Sequence, residues 1–300
     1  MNARWLQRTA PIVERDEPLP ALDQIGYEAA DLEAIRHAIH APDGLVLIVG
    51  PAGSGRSTAL YSMLGELDPL RRRVRTIESS SLRPVPAWRQ VQVPDAGSER
   101  GGRRWERTFA RVLRGRAGAI LVEKIATAGV AQLAIQAAQA GQLVLSTMSL
   151  GRASSVFAEL RRLRVTASQA IDGLSLVIGQ RLVGRLCPAC SIADDREAVR
   201  RALAPAINTW LAGRAVHPRR AAPSGCAACG HCGYQGRVLA YELIEIDSRA
   251  RSVIASGIDP VELERALLAE GGSIWDRGLK RVADGMTSLE ALLAAVRQPR

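Results

Sequence analysis

GPAGSGRST, residues 50–58, follows the short apolar run GLVLIVG at residues 44–50. Its spacing is that of the phosphate-binding loop, G-x-x-x-x-G-K-[ST], except that Arg56 stands in place of the lysine. In such loops, backbone N–H groups and the positive end of the following helix hold phosphate groups. We therefore expect every residue of the loop to take part in nucleotide binding: Gly50, Pro51, Ala52, Gly53, Ser54, Gly55, Arg56, Ser57 and Thr58.

Arg56 changes the chemistry of this loop. Ser57 keeps the hydroxyl that normally meets Mg²⁺, and Arg56 keeps the positive charge. A guanidinium group is a wide planar fork, however, whereas the lysine ammonium is a compact point charge on a thin stem. We expect binding to be weakened. The alternative is a loop that keeps its shape and binds nothing.

Strand and helix patterns alternate on both sides of the loop. Short apolar runs predict strands at 44–50, 72–78, 88–93, 117–125 and 142–147. Helical periodicity predicts helices at 31–42, 57–67, 104–115, 130–141, 153–163 and 167–183, with a basic turn at 95–104. This alternation, with a glycine-rich loop after the first strand, predicts an α/β fold with a parallel sheet flanked by helices. The last stretch of the chain also has a helical pattern.

Five cysteines are concentrated after residue 186, and four of them form two C-x-x-C pairs, Cys187 with Cys190 and Cys226 with Cys229. Two such pairs predict a closed site of four thiolates, the usual arrangement of structural zinc. Cys232 is the spare cysteine, either a competing ligand or an ordinary small residue. His231 is predicted to be a bystander because four thiolates already satisfy the metal.

The charge and hydropathy patterns restrict the class of protein. The formal net charge is +10, carried almost wholly by scattered arginines, and aromatic residues make up only 4%. Without interleaved aromatic side chains, this pattern does not favour nucleic-acid binding. The apolar runs are too short to cross a bilayer, and the first residues lack the apolar core of a signal peptide. We therefore expect a cytoplasmic protein.

Several motifs together resemble those of the ATPases that power type II secretion and type IV pilus assembly. They are the residues leading into the loop (21–61), GQLVLSTMS (141–149), IGQRLVGRLCPAC (178–190), GCAACGHCGYQGRVLAYELIEI (225–246) and IWDRGLKRVADGMTSLEAL (274–292). The resemblance implies a P-loop NTPase fold of the RecA-like type. It divides the chain into a lead-in that is the remnant of an N-terminal domain (1–27), an ATPase-like core (28–184), a four-cysteine module (185–247) and a C-terminal helical subdomain (248–300).

The resemblance also implies cofactors and partners. It implies ATP with Mg²⁺, structural Zn²⁺, and a place in a homo- or hetero-hexameric ring or on an inner-membrane platform protein. The expected location is the cytoplasm, peripheral to the inner membrane. Nucleic acid is not an expected partner.

The same comparison shows departures at the active-site positions of the family, which fall on Glu78, Arg114, Glu123 and Lys124. Lys124 occupies the position of the catalytic glutamate, and Ser149 stands where the family has a histidine. Glu123 is adjacent, but neighbouring side chains on a strand point to opposite faces, so Glu123 needs a bulge or a one-residue shift to substitute. Lys124 could instead contact a γ-phosphate, with relaxed drift as the alternative.

These departures lead to an expected function and two alternatives. We expect an ATP-binding subunit of a secretion or pilus machine whose own hydrolysis is impaired or absent. One alternative is a slow ATPase whose site is completed by a partner subunit. The other is a structural adaptor that binds no nucleotide, or a basic nucleic-acid-binding protein.

Overall fold

The computed structural model describes residues 19–68, 71–93, 99–115, 117–257, 260–268 and 271–296. In chain order the strands are β1 (Gly44–Val49), β2 (Val74–Glu78), β3 (Arg89–Gln92), β4 (Ala119–Val122), β5 (Leu143–Met148), β6 (Leu174–Leu186), β7 (Ile192–Ala193), β8 (Arg219–Arg220) and β9 (Tyr234–Glu245). Seven of them form one sheet in the order β3-β2-β4-β5-β1-β6-β9, and β7 pairs with β8 separately.

The helices are α1 (Ala29–His40), α2 (Arg56–Gly65), α3 (Glu99–Leu113), α4 (Ala128–Gln139), α5 (Ser155–Arg162), α6 (Ala167–Gly173), α7 (Glu197–Ile207), α8 (Ser248–Ala255), α9 (Pro260–Leu267), α10 (Ile274–Ala283) and α11 (Leu289–Val296). The last four lie in the part of the chain for which helices were predicted. Together with the parallel sheet, they confirm the α/β fold class.

The sheet is buried on both faces, which explains why its central strands read as continuous apolar runs. All six residues of β5 are buried. One face packs against α3 and α4 through side chains such as Trp105, Phe109 and Ile135. The other packs against α1 and α2 through side chains such as Ile39, Leu60 and Met63. The core thus fixes the sheet between two helical layers.

Parallel pairing brings several loops to one edge of the sheet. Val49 at the end of β1 pairs with Met148 of β5 and with Gly179 of β6. In β4, the next strand beyond β5, Val122 pairs with Ser146. Since ligands of such sheets bind beyond the carboxyl ends of the strands, the loops that leave β1, β4 and β5 are placed to form one site.

The predicted helix at 167–183 is wrong beyond Gly173. The chain there enters β6, which pairs in parallel with β1 and antiparallel with β9. These two neighbours satisfy the backbone of a stretch whose short apolar pattern does not separate a buried helix from a buried strand. β6 also crosses the predicted boundary between 184 and 185, so the cysteine module is continuous with the main sheet.

Two other predicted elements have different limits in the structure. The predicted strand 117–125 ends at Val122, and the chain bends at Glu123. The predicted turn at 95–104 is replaced by α3 from Glu99 onward, while 95–98 lie outside the described residues. The glycines at 101 and 102 suggested a turn, but the tertiary contact of the helix through Trp105 and Phe109 overrides that local preference.

A polar cluster joins α1, β9 and α10. The Arg277 guanidinium donates to Asp31 and to the Tyr241 hydroxyl, and its Cζ lies 4.1 Å above the Tyr241 ring centroid. Lys280 Nζ donates to Glu28 at 2.8 Å. These contacts fasten the beginning of the described chain to one of its last helices.

Across the described residues, none of the helices combines the length and the hydropathy that crossing a membrane requires.

Candidate nucleotide site and cysteine cluster

The loop between β1 and α2 has the backbone shape that anion binding requires. Gly53 and Gly55 have φ of +75° and +85°, in the left-handed region that favours glycine. At Gly50, an added Cβ would lie 2.4 Å from Ser54 Oγ and 2.6 Å from the Gln180 carbonyl oxygen, so only glycine fits. The first N–H groups of α2 have no partners inside the helix, which leaves them for an anion.

Side chains from two other strands hold the loop. Gln180 Nε2 of β6 donates to the Ser54 carbonyl oxygen at 2.8 Å, and the Tyr27 hydroxyl donates to Gln180 Oε1 at 3.0 Å. Arg237 Nη1 of β9 donates to the Gly53 carbonyl oxygen at 3.3 Å. Sequence reasoning missed all three residues. A glutamine inside the apolar strand LSLVIGQRLVGRL was the one available signal for Gln180.

Arg56 lies at the start of α2 and reaches the end of β5. Its Nη1 donates to the Met148 carbonyl oxygen at 2.7 Å and to Ser149 Oγ at 3.0 Å. Burial lowers the pKa of the Arg56 guanidinium, the charge of Arg181 lowers it further, and the charge of Glu123 acts in the opposite direction. Arg56, Ser149 and Glu123 are therefore neighbours at this edge of the sheet.

Glu123 is held by the loop that follows β2. Its carboxylate accepts hydrogen bonds from the Ser79 backbone N–H and from Ser79 Oγ, the latter at 2.7 Å. Because β4 ends at Val122, the alternation of side chains along a strand does not set the direction of Glu123, and no bulge is needed. Glu123 therefore lies beside Ser79 and in the field of Arg56 without the bulge or one-residue shift that strand alternation required, and its use in place of the catalytic glutamate stays a hypothesis. Lys124 follows in the same bend and is half-buried.

Glu78 and Arg114 take different positions: Glu78 ends β2 at the carboxyl edge of the sheet, next to the Ser79 that holds Glu123, and Arg114 does not lie at this edge. Glu78 is 4% exposed and accepts hydrogen bonds from the hydroxyls of Tyr61, at 2.7 Å, and of Thr76. Arg114 is exposed and follows α3, five residues before β4 begins, so it lies at the opposite edge of the sheet. Within one chain, Glu78 is thus a carboxylate of the protein interior and Arg114 a surface residue.

Replacing Tyr61 by phenylalanine tests this assignment of Glu78. The Tyr61 hydroxyl donates to Glu78 and accepts from the Leu82 backbone N–H at 3.2 Å, so its loss leaves both without that partner. We expect the free energy of unfolding to fall by about 1–3 kcal/mol in a urea titration, with nucleotide affinity unchanged. If the substitution weakened nucleotide binding by a similar free energy, the assignment of Glu78 to the protein interior would be wrong.

A cavity of about 610 Å³ opens beside the loop. Its walls include Gly55 and Thr58 of the loop and α2, Leu182 of β6, Leu239 of β9 and Gly230 of the cysteine module. The lining is mainly apolar, with a few polar groups, which is typical of small-molecule sites. One side of the loop is thus open to a space large enough for a nucleoside.

The four cysteines predicted as ligands lie together. Their sulfur atoms are all within 4.8 Å of one another, and they form the one such ligand cluster among the described residues. Three of the Sγ–Sγ distances are 3.8, 3.8 and 3.9 Å: Cys187 to Cys226, Cys190 to Cys229, and Cys226 to Cys229. A tetrahedral site with metal–sulfur bonds of about 2.3 Å has sulfur atoms about 3.8 Å apart. The distances fit a metal and are far longer than a disulfide bond.

Hydrogen bonds from backbone N–H groups stabilise the thiolate form of one of these cysteines, Cys229. Cys226 N donates to Cys229 Sγ at 3.3 Å and Gly233 N donates to it at 3.2 Å. These hydrogen bonds, that of Cys226 first, lower the pKa of the Cys229 thiol to about 6. Metal ligation needs thiolates, so the surroundings of Cys229 favour the ligating form, whereas burial and the neighbouring thiols raise the pKa of Cys190.

The two neighbouring candidates stay outside the cluster. Cys232 Sγ donates to the carbonyl oxygens of Cys229 and Tyr234, at 2.8 and 3.1 Å. His231 is exposed, and its Nδ1 lies 3.3 Å from the Ser224 carbonyl oxygen. Both are therefore engaged by the backbone around the cluster.

Comparison with known proteins gives consistent matches along the chain. The family described as type II/IV secretion system protein matches residues 12–294. "Type II secretion system protein E" of Aeromonas hydrophila is 32% identical over 92% of this chain, and its namesake in Klebsiella pneumoniae is 33% identical over 92%. Each match covers 53% of the relative, so the chain spans about half the length of the curated relatives it matches.

Solved structures share the fold. The pilus retraction motor PilT, described with bound ADP, has a TM-score of 0.65 at 20% identity, covering 95% of this chain and 69% of that one. The Legionella pneumophila ATPase DotB has a TM-score of 0.62 at 18% identity, covering 92% and 64%. These likenesses concern the fold of a P-loop ATPase.

Proposed function

Because the chain belongs to the type II/IV secretion system protein family, we propose that it is a nucleotide-binding subunit of a type II secretion or type IV pilus machine. The observation that carries the proposal is the loop after β1. Two glycines in the left-handed region and the start of α2 form an anion site at the carboxyl edge of the sheet.

The neighbouring cavity supports a nucleotide in preference to a simple anion. It adjoins Gly55 and Thr58, so a molecule whose phosphates lie on the loop can place its base and sugar against Leu182 and Leu239. Apolar walls suit the faces of a base, and Mg²⁺ would be held through Ser57, whose side chain is exposed at the start of α2. ATP or ADP with Mg²⁺ is the proposed ligand.

We propose further that hydrolysis by this chain alone is weak or absent. Arg56 replaces the phosphate-binding lysine, and Lys124 stands where the resembling ATPases have their catalytic glutamate. Glu123 lies at the same edge, but both of its hydrogen bonds from Ser79 must be given up or shared before it can orient a water molecule. A slow ATPase completed by a neighbouring subunit is the second candidate, and in it Glu123, whose charge acts on Arg56, is the acidic group that this chain itself would contribute.

Zinc is the proposed occupant of the cysteine cluster. Four thiolates at tetrahedral spacing are a closed structural site, so the metal would stabilise the module and take no part in a reaction. The proposed partners are other subunits of a hexameric ATPase ring and an inner-membrane platform protein, with the chain in the cytoplasm beside that membrane.

Replacing Ser57 by alanine tests the nucleotide site. The hydroxyl is the group expected to meet Mg²⁺, so calorimetry should show about a tenfold loss of Mg·ADP affinity, equivalent to roughly 1.4 kcal/mol. Binding without Mg²⁺ should change little. Ser252→Ala, on the exposed surface of α8, is the matched control and should bind like the natural protein.

Two results would oppose the proposal. If the chain binds neither ADP nor ATP at millimolar concentration, the proposed nucleotide site is wrong altogether. Rapid turnover by the isolated chain would leave the site in place but refute weak hydrolysis, whereas turnover that arises only when a full-length relative is added would favour the second candidate.

A further inference from the structure

Arg56 connects two segments that border the phosphate-binding loop. Its Nη1 donates to the Met148 carbonyl oxygen at 2.7 Å and to Ser149 Oγ at 3.0 Å. The same carbonyl oxygen accepts the Gly50 N–H at 3.3 Å. One guanidinium group thus joins the first residue of α2 to the end of β5, beside the point where the loop begins.

These hydrogen bonds engage the Arg56 side chain, which is the one expected to contact the outer phosphates of a nucleotide. In a phosphate-binding loop, the residue at this position reaches the β and γ phosphates, while the backbone N–H groups hold the α and β phosphates. A diphosphate can therefore bind through the backbone with Arg56 left in place. A triphosphate requires the planar guanidinium to leave both of its acceptors or to share the space.

The pair of residues fits together sterically. Ser149 is small and its hydroxyl is within hydrogen-bond distance of the wide guanidinium. A longer side chain at position 149 would compete with Arg56 for that space. Arg56 and Ser149, two of the unusual residues of the site, thus form one contact with each other.

The negative charge of Glu123 also disfavours a third phosphate. Glu123 lies close enough to raise the pKa of Arg56, and Ser79 fixes its carboxylate. A fixed negative charge at this edge repels an additional phosphate. Lys124 and Arg181 are opposing positive charges. Lys124 directly follows Glu123, and Arg181 donates to the Gly151 and Gln180 carbonyl oxygens and lies in the field of Glu242.

We propose that the contact of Arg56 with Met148 and Ser149 makes the site selective for nucleoside diphosphates over triphosphates. The proposal rests on the nucleotide site proposed above, and it names the ligand that this site retains. A chain with this selectivity holds the product of an ATPase in preference to its substrate.

The test compares the affinities of Mg·ADP and Mg·ATP by calorimetry on the zinc-loaded chain. We expect ADP to bind roughly 25-fold more tightly than ATP, since two hydrogen bonds worth a factor of about five each oppose the triphosphate. Arg56→Lys removes the fork and should bring the ratio close to one by strengthening ATP binding. Ser149→Ala removes one acceptor and should narrow the ratio about fivefold.

Arg111→Lys is the matched control, because Arg111 is exposed on α3, and it should leave the ratio unchanged. Equal or tighter binding of ATP by the natural chain would overturn the selectivity while leaving the nucleotide site intact. The selectivity would also be overturned if Arg56→Lys bound both nucleotides and the natural chain bound neither. If neither the natural chain nor Arg56→Lys binds either nucleotide, the nucleotide site and the selectivity both fail.

Discussion

Replacing Cys226 by serine should remove the metal from the chain and unfold the module that surrounds it. Cys226 Sγ lies 3.8 Å from Cys187 Sγ and 3.9 Å from Cys229 Sγ, so its loss opens the tetrahedron on two sides. In small zinc-binding peptides the metal contributes on the order of 10–16 kcal/mol to folding. We expect metal content, measured by elemental analysis of the purified protein, to fall from about one zinc per chain to almost none.

Cys232→Ser is the matched control, because Cys232 lies in the same turn but contacts carbonyl oxygens and not the other sulfurs. It should keep its zinc and its thermal midpoint within a few degrees. Equal loss of metal from both variants would show that Cys232 is a ligand. Full zinc content in Cys226→Ser would show that the cluster is not the metal site.

Gly225→Ala should have the second largest effect. Gly225 has a φ of +57°, and an added Cβ would lie 2.5 Å from the His231 carbonyl carbon and 2.9 Å from Cys232 N. Both contacts are with backbone atoms, so the turn that carries Cys226 and Cys229 must move. We expect the free energy of unfolding to fall by roughly 3–5 kcal/mol, the range of the most damaging single substitutions, together with weaker zinc binding.

Gly213→Ala separates strain of the backbone from this collision. Gly213 also has a positive φ, +74°, but nothing lies within 4 Å of its would-be Cβ. Its substitution should cost only about 1 kcal/mol, the penalty for a side chain in the left-handed region. Chemical denaturation of both variants measures the difference between their free energies of unfolding. If the two substitutions lower that free energy equally, the close approach of Gly225 to His231 does not destabilise Gly225→Ala.

The parts of the site that sequence reasoning located are those that short-range chemistry determines. The glycines of the loop need left-handed backbone wherever the loop occurs, and each C-x-x-C pair sets two thiolates on one turn. The α/β fold followed in the same way from alternating strand and helix patterns. These features depend on neighbours within a few residues.

The remainder depends on contacts between distant segments. Gln180 and Arg237 hold the loop across 126 and 184 residues of sequence; the glutamine in an apolar strand marks Gln180 as unusual, but neither local pattern indicates the contact with the loop. The direction of Glu123 depends on where β4 ends, and the interior position of Glu78 depends on Tyr61 of α2. β6 read as part of a helix because its pairing partners β1 and β9 are remote in sequence.

β6 has a mechanical consequence. Gln180, near its middle, holds the nucleotide loop, and Leu186, at its end, is followed directly by the first cysteine of the cluster. The six residues 181–186 between Gln180 and that cysteine span about 20 Å of extended chain and pair with β9, with a shift of register between Gly184 and Leu186. Its pairing with β9 limits how far this segment can bend. A displacement of the loop at Gln180 should therefore also shift Cys187, the first cysteine of the cluster.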